Sequence, residues 1–360
     1  MMGLDKFYNI EPYALNKIEK DILLTERLKE LSLFHYSNCK EYRNIIDAYG
    51  INIEKIKNIT DVPFLPVRIF KEFELKSIDN IAKTMTSSGT TGQKVSKIFV
   101  DSVTASNQQK TMVKIVSDFI GNKRLPMIVL DTDAVLKDRS MFSARGAGIL
   151  GFSMFASKKI YAFDKEMNLN KQLIIDFINE HKNENILLFG FTFMIWQYFY
   201  KILISDMNFK IDLSNAILIH GGGWKKLINE SVSKDDFKKE LNKVCNIRIN
   251  NIHDYYGMVE QTGCIYMECE CGHLHTSIFS DIIIRNTDDF NICESGKEGI
   301  IQVVSSIPES YPGHSILTED KGVILGEDDC PCGRKGKYFE ILGRIKDAEI
   351  RGCSDTYERK

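Results

Sequence analysis

Between residues 102 and 252, short apolar segments alternate with longer segments that have helical periodicity. The predicted helices are Ser102–Ile120, Leu169–His181 and Lys234–Val244, and the predicted strands are Leu125–Asp131, Ile186–Phe191, Ala216–His220 and Ile247–Ile252. Strands that alternate with helices of about 10–15 residues are typical of a mainly parallel sheet covered by helices. The sequence therefore predicts an α/β fold for this part of the chain.

The pattern differs on either side of this region. Residues 12–49 have apolar side chains at helical spacing and predict a helical N-terminal segment, which ends at Gly50. After Cys264, short strands with glycine-rich turns follow one another and predict a smaller β-rich subdomain. These strands are Ile278–Arg285, Gly299–Val304, Val323–Leu325 and Tyr338–Leu342.

A polar loop, Thr86-Ser87-Ser88-Gly89-Thr90-Thr91-Gly92, lies between the apolar runs Ile81–Met85 and Ile98–Val100 and predicts a strand, a loop and a returning strand. Glycines let the backbone approach a ligand, and successive N–H groups with Ser and Thr hydroxyls form an anion site. A plain hairpin turn is the alternative, but a two-residue turn needs only Asn-Gly or Asp-Gly. The sequence favours a phosphate-binding loop, although it lacks the Walker A spacing.

Two further polar segments follow predicted strands. His220-Gly221-Gly222-Gly223 ends a strand, and ligands of open α/β sheets bind beyond such ends, so this bare backbone could seat a purine. A lipase-type oxyanion loop is the alternative, but its Gly-x-Ser-x-Gly elbow is absent from the sequence. In Asp254-Tyr255-Tyr256-Gly257-Met258-Val259-Glu260, Tyr256 offers a stacking ring and Glu260 a hard oxygen ligand for Mg²⁺. Taken alone, a core tyrosine and a surface glutamate would explain these residues better.

Together and in this order, the three segments resemble those of the acyl-adenylate-forming superfamily. The resemblance implies ATP and Mg²⁺ as cofactors, with Asp254, Tyr256 and Gly257 at the nucleotide. It continues with Thr318-Glu319-Asp320, where it implies an aspartate that binds the ribose, and with Gly343-Arg344-Ile345-Lys346-Asp347, where it implies an arginine that contacts the nucleotide. A turn aspartate and a surface arginine are the alternatives for Asp320 and Arg344.

In length and ending, the chain is similar to the LuxE-type acyl-protein synthetases of bacterial fatty acid reductase complexes. This resemblance implies an ATP-dependent ligase that activates a carboxylic acid, of the fatty type, as acyl-AMP. The acyl group then passes to a cysteine of the enzyme and onward to a partner reductase. It also implies that the C-terminal lid domain of the superfamily, which carries a lysine, is absent, since the chain stops at Lys360.

The family pattern places the acyl-accepting cysteine near the C-terminus, where Cys353 stands. The polar tail favours an exposed thiol, and Arg351 favours its nucleophilic thiolate form, although an incidental tail cysteine is the alternative. Arg145, Gly146 and Gly148 lie in a glycine-rich segment and are candidates for lining the acyl site.

Two other functions stay open from the sequence. A truncated acid–coenzyme A ligase would form the same adenylate but would use a soluble thiol as the acceptor. A non-catalytic nucleotide- and zinc-binding partner would bind ATP without releasing pyrophosphate.

Cys269-Glu270-Cys271-Gly272 and Cys330-Pro331-Cys332-Gly333 are matching Cys-x-Cys-Gly turns. Four thiolates from two such turns form a closed tetrahedral site, which is typical of structural Zn²⁺. We therefore expect Cys269, Cys271, Cys330 and Cys332 to be metal ligands, with His273 or His275 as the substitute for one of them. Four free thiols are the alternative, and Cys39, Cys245, Cys264 and Cys293 are expected to pack in the core.

Composition limits the remaining possibilities. A net charge of −2 argues against binding nucleic acid, and the longest apolar stretch, Ile186–Tyr200, is too short to span a membrane. Nine cysteines without a signal peptide indicate a reducing cytoplasm. The predicted division is a helical segment at 1–60, a nucleotide-binding α/β core at 61–263, a zinc-bearing β-rich subdomain at 264–342 and a hinge with a mobile tail at 343–360.

Overall fold

The structure, a computed structural model, describes residues 3–87, 94–137, 144–206 and 208–345. Its α-helices are α1 (Asp5–Tyr8), α2 (Lys17–Asn38), α3 (Lys40–Ala48), α4 (Ile69–Glu72), α5 (Ser102–Ile120), α6 (Ala134–Lys137), α7 (Ala144–Phe152), α8 (Lys171–Glu180), α9 (Thr192–Met194), α10 (Lys201–Ser205) and α11 (Lys234–Cys245). Its strands are β1 (Leu65–Pro66), β2 (Lys83–Thr86), β3 (Lys97–Val100), β4 (Leu125–Thr132), β5 (Ala156–Phe163), β6 (Ile186–Phe191), β7 (Ala216–Gly221), β8 (Ile252–Tyr256), β9 (Tyr266–Met267), β10 (Leu274–His275), β11 (Ser280–Arg285), β12 (Gly299–Ser305), β13 (Ser315–Glu327) and β14 (Lys337–Arg344).

The predicted parallel sheet is confirmed. It has six strands in the order β5-β4-β6-β7-β8-β9, in which every pairing is parallel except that of β8 with β9. All residues of β6 and β7 are buried, which explains why these strands are nearly continuous apolar runs rather than alternating patterns. The carboxyl ends of β7 and β8 therefore lie side by side at one edge of the sheet.

Two expectations for single elements were wrong, and one strand was not predicted. Strand β5 was not predicted, because Lys158 and Lys159 interrupt the apolar pattern of this partly exposed strand. The strand expected at Ile247–Ile252 begins only at Ile252, because a 3₁₀ turn occupies Ile249–Asn251. The side-chain amide of Asn251 donates to the Ala216 carbonyl at 3.1 Å and stabilises this turn. The single helical segment is divided at Cys39, whose extended backbone separates α2 from α3.

The predicted β-rich region forms a second sheet, which is antiparallel along its main path, β10-β14-β13-β12-β11. Its longest strand, β13, spans 13 residues and carries Thr318–Asp320, whereas the sequence predicted only Val323–Leu325 there. Strand β1 joins this sheet by pairing in parallel with β13. One buried apolar cluster contacts both sheets and the N-terminal helices. Within the described part of the chain, no helix combines the length and the apolar character needed to cross a bilayer.

Candidate functional site

The glycine run at the end of β7 lies beside the end of β8. Gly221 pairs with Tyr255 in the parallel ladder, and a Cβ atom on Gly221 would lie 2.5 Å from the Tyr255 ring. Gly222 has a φ of +78°, a conformation that L side chains rarely adopt, whereas a Cβ on Gly223 would meet no atom within 4 Å. A side chain at Gly221 would displace the Tyr255 ring and one at Gly222 would strain the backbone, whereas the backbone at Gly223 is open to a ligand.

Three of the residues predicted at the nucleotide meet across the two sheets. The Tyr256 hydroxyl, at the end of β8, donates to Asp320 Oδ2 on β13 at 2.7 Å. The Arg344 Nε, on β14, donates to Asp320 Oδ1 at 3.1 Å. Burial and the neighbouring Asp320 carboxylate raise the pKa of Tyr256, so its hydroxyl stays protonated and acts as the donor.

Sequence reasoning missed two residues of this network. Glu319 is buried beside Asp320, accepts from Arg344 Nη2 at 3.3 Å and forms an ion pair with Arg68. Glu319 thus links an arginine that follows β1 to the arginine of β14. The triplet Thr318-Glu319-Asp320 gave a signal for the acidic residue, but no pattern in the sequence marks Arg68.

A buried ion pair, formed by Lys238 and Glu268, lies beside β8 and contacts its backbone. Lys238 Nζ lies 2.8 Å from Glu268 Oε2, which also accepts from the Asp254 backbone N–H at 3.0 Å. Burial and the charge of Glu268 raise the pKa of the Asp254 carboxyl to about 7. Burial lowers the pKa of the adjacent His220 to about 3, so its ring is neutral where it meets the Thr192 hydroxyl at 2.9 Å.

The predicted magnesium ligand lies inside the protein rather than at its surface. Glu260 is 2 % exposed in a 3₁₀ turn after β8, and the Tyr311 hydroxyl donates to its backbone carbonyl at 2.8 Å. A buried carboxylate is a suitable hard-oxygen ligand for Mg²⁺, which takes one or two carboxylates. Gly257, before this turn, approaches Ile265 so closely that a Cβ would lie 3.1 Å from its side chain.

The described part of the polar loop fixes the base of the β2–β3 hairpin. The Ser96 N–H donates to Ser87 Oγ at 2.9 Å, and the Ser87 N–H donates to the Ser96 carbonyl at 3.1 Å. The antiparallel pairing of β2 with β3 confirms the predicted strand and returning strand. The other predicted phosphate-binding residues, Ser88, Gly89, Thr90, Thr91 and Gly92, lie outside the described residues, as does Cys353.

Arg145 lies in the protein interior. Its Nε and Nη2 atoms donate to the two carboxylate oxygens of Asp131, both at 2.6 Å, and each side chain of the pair is 1 % exposed. Gly148 lies one turn further along α7, where a Cβ would be 3.0 Å from the Phe191 ring. Arg145 is therefore engaged in joining α7 to β4, and Gly148 allows the helix to approach β6.

The two Cys-x-Cys-Gly turns meet, but the fourth possible metal ligand is His275 rather than Cys271. Ligand atoms of Cys269, His275, Cys330 and Cys332 all lie within 4.8 Å of one another. Cys271, the fourth ligand predicted from the sequence, is exposed and lies outside this group, whereas Cys269 is fully buried. Burial raises the pKa of the Cys330 thiol to about 11 and lowers the pKa of His275 to about 4.

Comparisons with known proteins agree on one family. The family model described as acyl-protein synthetase, LuxE, matches residues 4–360. The long-chain-fatty-acid–luciferin-component ligase of Aliivibrio fischeri is 23% identical over 361 residues, covering 97% of this chain and 92% of that protein. The ligase of the same name from Vibrio harveyi is 24% identical over 346 residues, covering 92% and 86%.

Solved structures show the same fold. A 2-hydroxyisobutyryl-CoA ligase in complex with 2-HIB-AMP is similar with a TM-score of 0.72 at 13% identity, covering 96% of this chain and 72% of that chain. The same ligase with 2-HIB-AMP and CoA, in the thioesterification state, gives a TM-score of 0.71 at 14% identity, covering 94% and 70%. At this level of identity, the similarity establishes the α/β architecture alone.

Proposed function

This chain belongs to the LuxE acyl-protein synthetase family, and from that premise we propose that it is an ATP-dependent acyl-protein thioester ligase. Its substrate is a carboxylic acid of the fatty type, which it activates as an acyl-adenylate. The acyl group then passes to the enzyme's own Cys353 and from there to a partner reductase. None of the eight described cysteines forms a disulfide, which supports action in a reducing compartment such as the cytoplasm.

The observation that carries this proposal is the meeting of Tyr256, Asp320 and Arg344. These residues come from three strands, one in the parallel sheet and two in the antiparallel sheet, yet they form one hydrogen-bonded group. In our assignment Asp320 binds the ribose hydroxyls and Arg344 contacts the nucleotide. The open backbone at Gly223 is available for the adenine, since ligands of α/β sheets bind beyond the carboxyl ends of strands.

In the first step, a carboxylate oxygen of the substrate attacks the α-phosphorus of ATP. The bond from that phosphorus to the bridging oxygen breaks, and pyrophosphate leaves with the electron pair. The Ser87–Gly92 loop is assigned to the phosphates, where N–H and hydroxyl donors stabilise developing negative charge. Glu260 would hold Mg²⁺, which when bound supplies further charge neutralisation at the phosphates.

In the second step, the thiolate of Cys353 attacks the acyl carbonyl carbon. The bond from that carbon to the phosphate oxygen breaks, AMP leaves and an acyl thioester remains on the enzyme. A nucleophilic cysteine splits the overall transfer into two easier steps. Cys353 lies nine residues after Arg344, a stretch that spans up to about 30 Å when extended.

The proposal is tested by ATP–pyrophosphate exchange over a panel of carboxylic acids, followed by mass spectrometry of the intact enzyme. Exchange that depends on a fatty acid, together with one acyl adduct on the protein, is the expected result. Replacing Cys353 by Ala should abolish the adduct and leave exchange intact. Replacing the exposed Cys271 by Ala is the matched control and should change neither.

Other results would change the assignment. Exchange with a thioester formed only on added coenzyme A would make the enzyme an acid–coenzyme A ligase. ATP binding with no exchange for any acid in the panel would contradict adenylate formation altogether.

A further inference from the structure

The distances in the cysteine–histidine group fit one tetrahedral metal ion. Zn–S bonds of about 2.3 Å and Zn–N bonds of about 2.0 Å place two sulfurs about 3.8 Å apart and a sulfur about 3.5 Å from a nitrogen. In the structure, Cys269 Sγ lies 3.9 Å from Cys330 Sγ, and Cys332 Sγ lies 3.4 Å from His275 Nε2. These two separations match those of a tetrahedral zinc site, and all four ligand atoms lie within 4.8 Å of one another.

The backbone on both sides of the group has the same form. The N–H of Gly272 donates to the Cys269 carbonyl at 2.9 Å, and the N–H of Gly333 donates to the Cys330 carbonyl at 3.0 Å. The two glycines have φ values of +81° and +84°, which other residues rarely adopt. Two turns of one conformation thus present their first cysteines to each other.

We infer that Cys269, His275, Cys330 and Cys332 bind one structural Zn²⁺ ion. Three thiolates and an imidazole nitrogen are a donor set typical of structural zinc sites. All four positions come from the protein, which leaves none open for water or substrate, so the ion has no catalytic role.

His275 is a better fourth ligand than Cys271 or His273. Cys271 is exposed and outside the group, whereas His275 is fully buried within it. His273 places Nδ1 3.3 Å from Cys330 Sγ, which suits a hydrogen bond to a thiolate that is already bound to the metal. The rings of His273 and His275 both stack on Tyr338. Both rings are therefore held by the same tyrosine, but only His275 is assigned as a metal ligand.

The ion would join the strands that carry the candidate nucleotide site. Cys269 follows β9, which pairs with β8 at Tyr256, and Cys330 and Cys332 lie in the turn between β13 and β14. Because β13 carries Asp320 and β14 carries Arg344, the metal would link the turn between these two strands to the segment after β9, the neighbour of β8. Because the unfolded chain does not present these four ligands together, the free energy of metal binding stabilises the folded state.

Metal analysis of the purified full-length protein tests the ligand set without ATP or acid, so its outcome is independent of the proposed ligase activity. We expect about one zinc per chain in the wild type, in Cys271→Ser and in His273→Asn. We expect at least a tenfold loss of bound zinc in Cys332→Ser and in His275→Asn. Full zinc in His275→Asn together with loss in Cys271→Ser would overturn the assignment in favour of four cysteines.

A second measurement uses the wild-type protein, so that its result does not depend on whether the variants fold. Maleimide labelling of the native protein should modify Cys271 and spare Cys269, Cys330 and Cys332, and a chelator should expose these three to the reagent. Cobalt substituted for zinc should give the absorption of a tetrahedral site with three sulfurs and one nitrogen. Protein that contains no zinc and takes up neither metal would refute the site.

Discussion

Tyr256 donates a hydrogen bond to Asp320 across 2.7 Å, from the last residue of β8 in the parallel sheet to the middle of β13 in the antiparallel sheet. This contact joins two residues that are 64 positions apart in the chain and that were predicted separately to lie at one nucleotide. Because Arg344 binds the other oxygen of the same carboxylate, Asp320 is held from two sides. The carboxylate is therefore fixed in position, and in its proposed role at the ribose this would reduce the entropic cost of binding.

Replacing Tyr256 by Phe should weaken ATP binding while leaving the fold intact. The ring remains, but Asp320 loses one of its two positioning hydrogen bonds. A hydrogen bond to a charged group contributes about 1.5–3 kcal/mol. Because this bond positions Asp320 and does not contact ATP, only part of that free energy is lost from binding, and we expect the KM for ATP in pyrophosphate exchange to rise about three- to tenfold.

Tyr266 supplies the matched control for this variant. Its ring centroid lies 5.9 Å from that of Tyr256, but its hydroxyl donates to the Asp281 carbonyl at 3.3 Å instead. Tyr266→Phe should leave the KM for ATP within about twofold of the wild type, because that hydroxyl has no role at Asp320. Equal KM values for the two variants would remove Tyr256 from the nucleotide site.

Gly221 and Gly223 should respond differently to alanine. A Cβ at Gly221 would lie 2.5 Å from the Tyr255 ring, so the ring or β8 must shift. Overpacking of this kind costs about 1–3 kcal/mol, and we expect a lower midpoint of thermal unfolding for Gly221→Ala.

Gly223→Ala should unfold like the wild type, because nothing lies within 4 Å of the added atom, yet it should raise the KM for ATP if the adenine lies there. Identical unfolding midpoints for both variants would contradict the close approach at Gly221.

The sequence was most informative where one physical pattern determines one structure. Strand β6 and helix α5 were predicted with the bounds they have. Strand β6 is a short continuous apolar run, and α5 has a helical repeat between the N-cap Asp101 and Gly121, so few other structures fit either pattern. Strand β5 has no such pattern, since lysines occupy exposed positions along it.

Pairings between distant segments could be predicted only where a motif marks them. The two Cys-x-Cys-Gly turns were expected to meet, and they do, but the sequence does not determine which side chain after Cys269 is buried. His275 pairs with Tyr338 in β14, and this register brings the imidazole inside while Cys271 stays in the exposed turn. The link from Glu319 to Arg68 depends on the packing of β1 beside β13, which no local pattern encodes.

The buried pair of Lys238 and Glu268 should be far more sensitive to mutation than a surface pair of similar geometry. Their side chains are 8% and 1% exposed, and Glu268 also accepts the Asp254 N–H. Replacing Lys238 by Met leaves a buried carboxylate without its cation, which costs about 3–5 kcal/mol of the free energy of unfolding.

Lys158 and Glu180 are the control, because their side chains are 53% and 52% exposed at a separation of 2.6 Å. Exposed pairs contribute at most about 1 kcal/mol, so Lys158→Met should have a small effect on denaturant unfolding. Similar losses for the two lysine variants would show that Lys238 and Glu268 do not form a desolvated pair.

The stability of the fold should fall in mild acid, in part because of His35. This ring is fully buried, meets the Ser77 hydroxyl at 2.7 Å and the Pro308 carbonyl at 3.1 Å, and stacks on His314. Burial lowers the pKa of His35 from 6.5 to about 3, so between these values the unfolded chain binds a proton that the folded chain does not. The free energy of unfolding should therefore fall as the pH decreases from about 6.5 towards 3, with His35 contributing up to about 1.4 kcal/mol per pH unit.

Urea unfolding of His35→Gln between pH 4 and pH 7 measures this contribution. The variant is expected to be less stable than the wild type at pH 7, because it loses the packing of the ring, but to have a flatter dependence on pH. Ser77→Ala is the control: it removes one hydrogen bond but leaves the ring buried, and burial is the main cause of the lowered pKa. Its stability should decrease by a similar amount at every pH. A pH dependence in His35→Gln as steep as that of the wild type would mean that another buried group takes up the proton, with His314 the nearest candidate because burial also lowers its pKa.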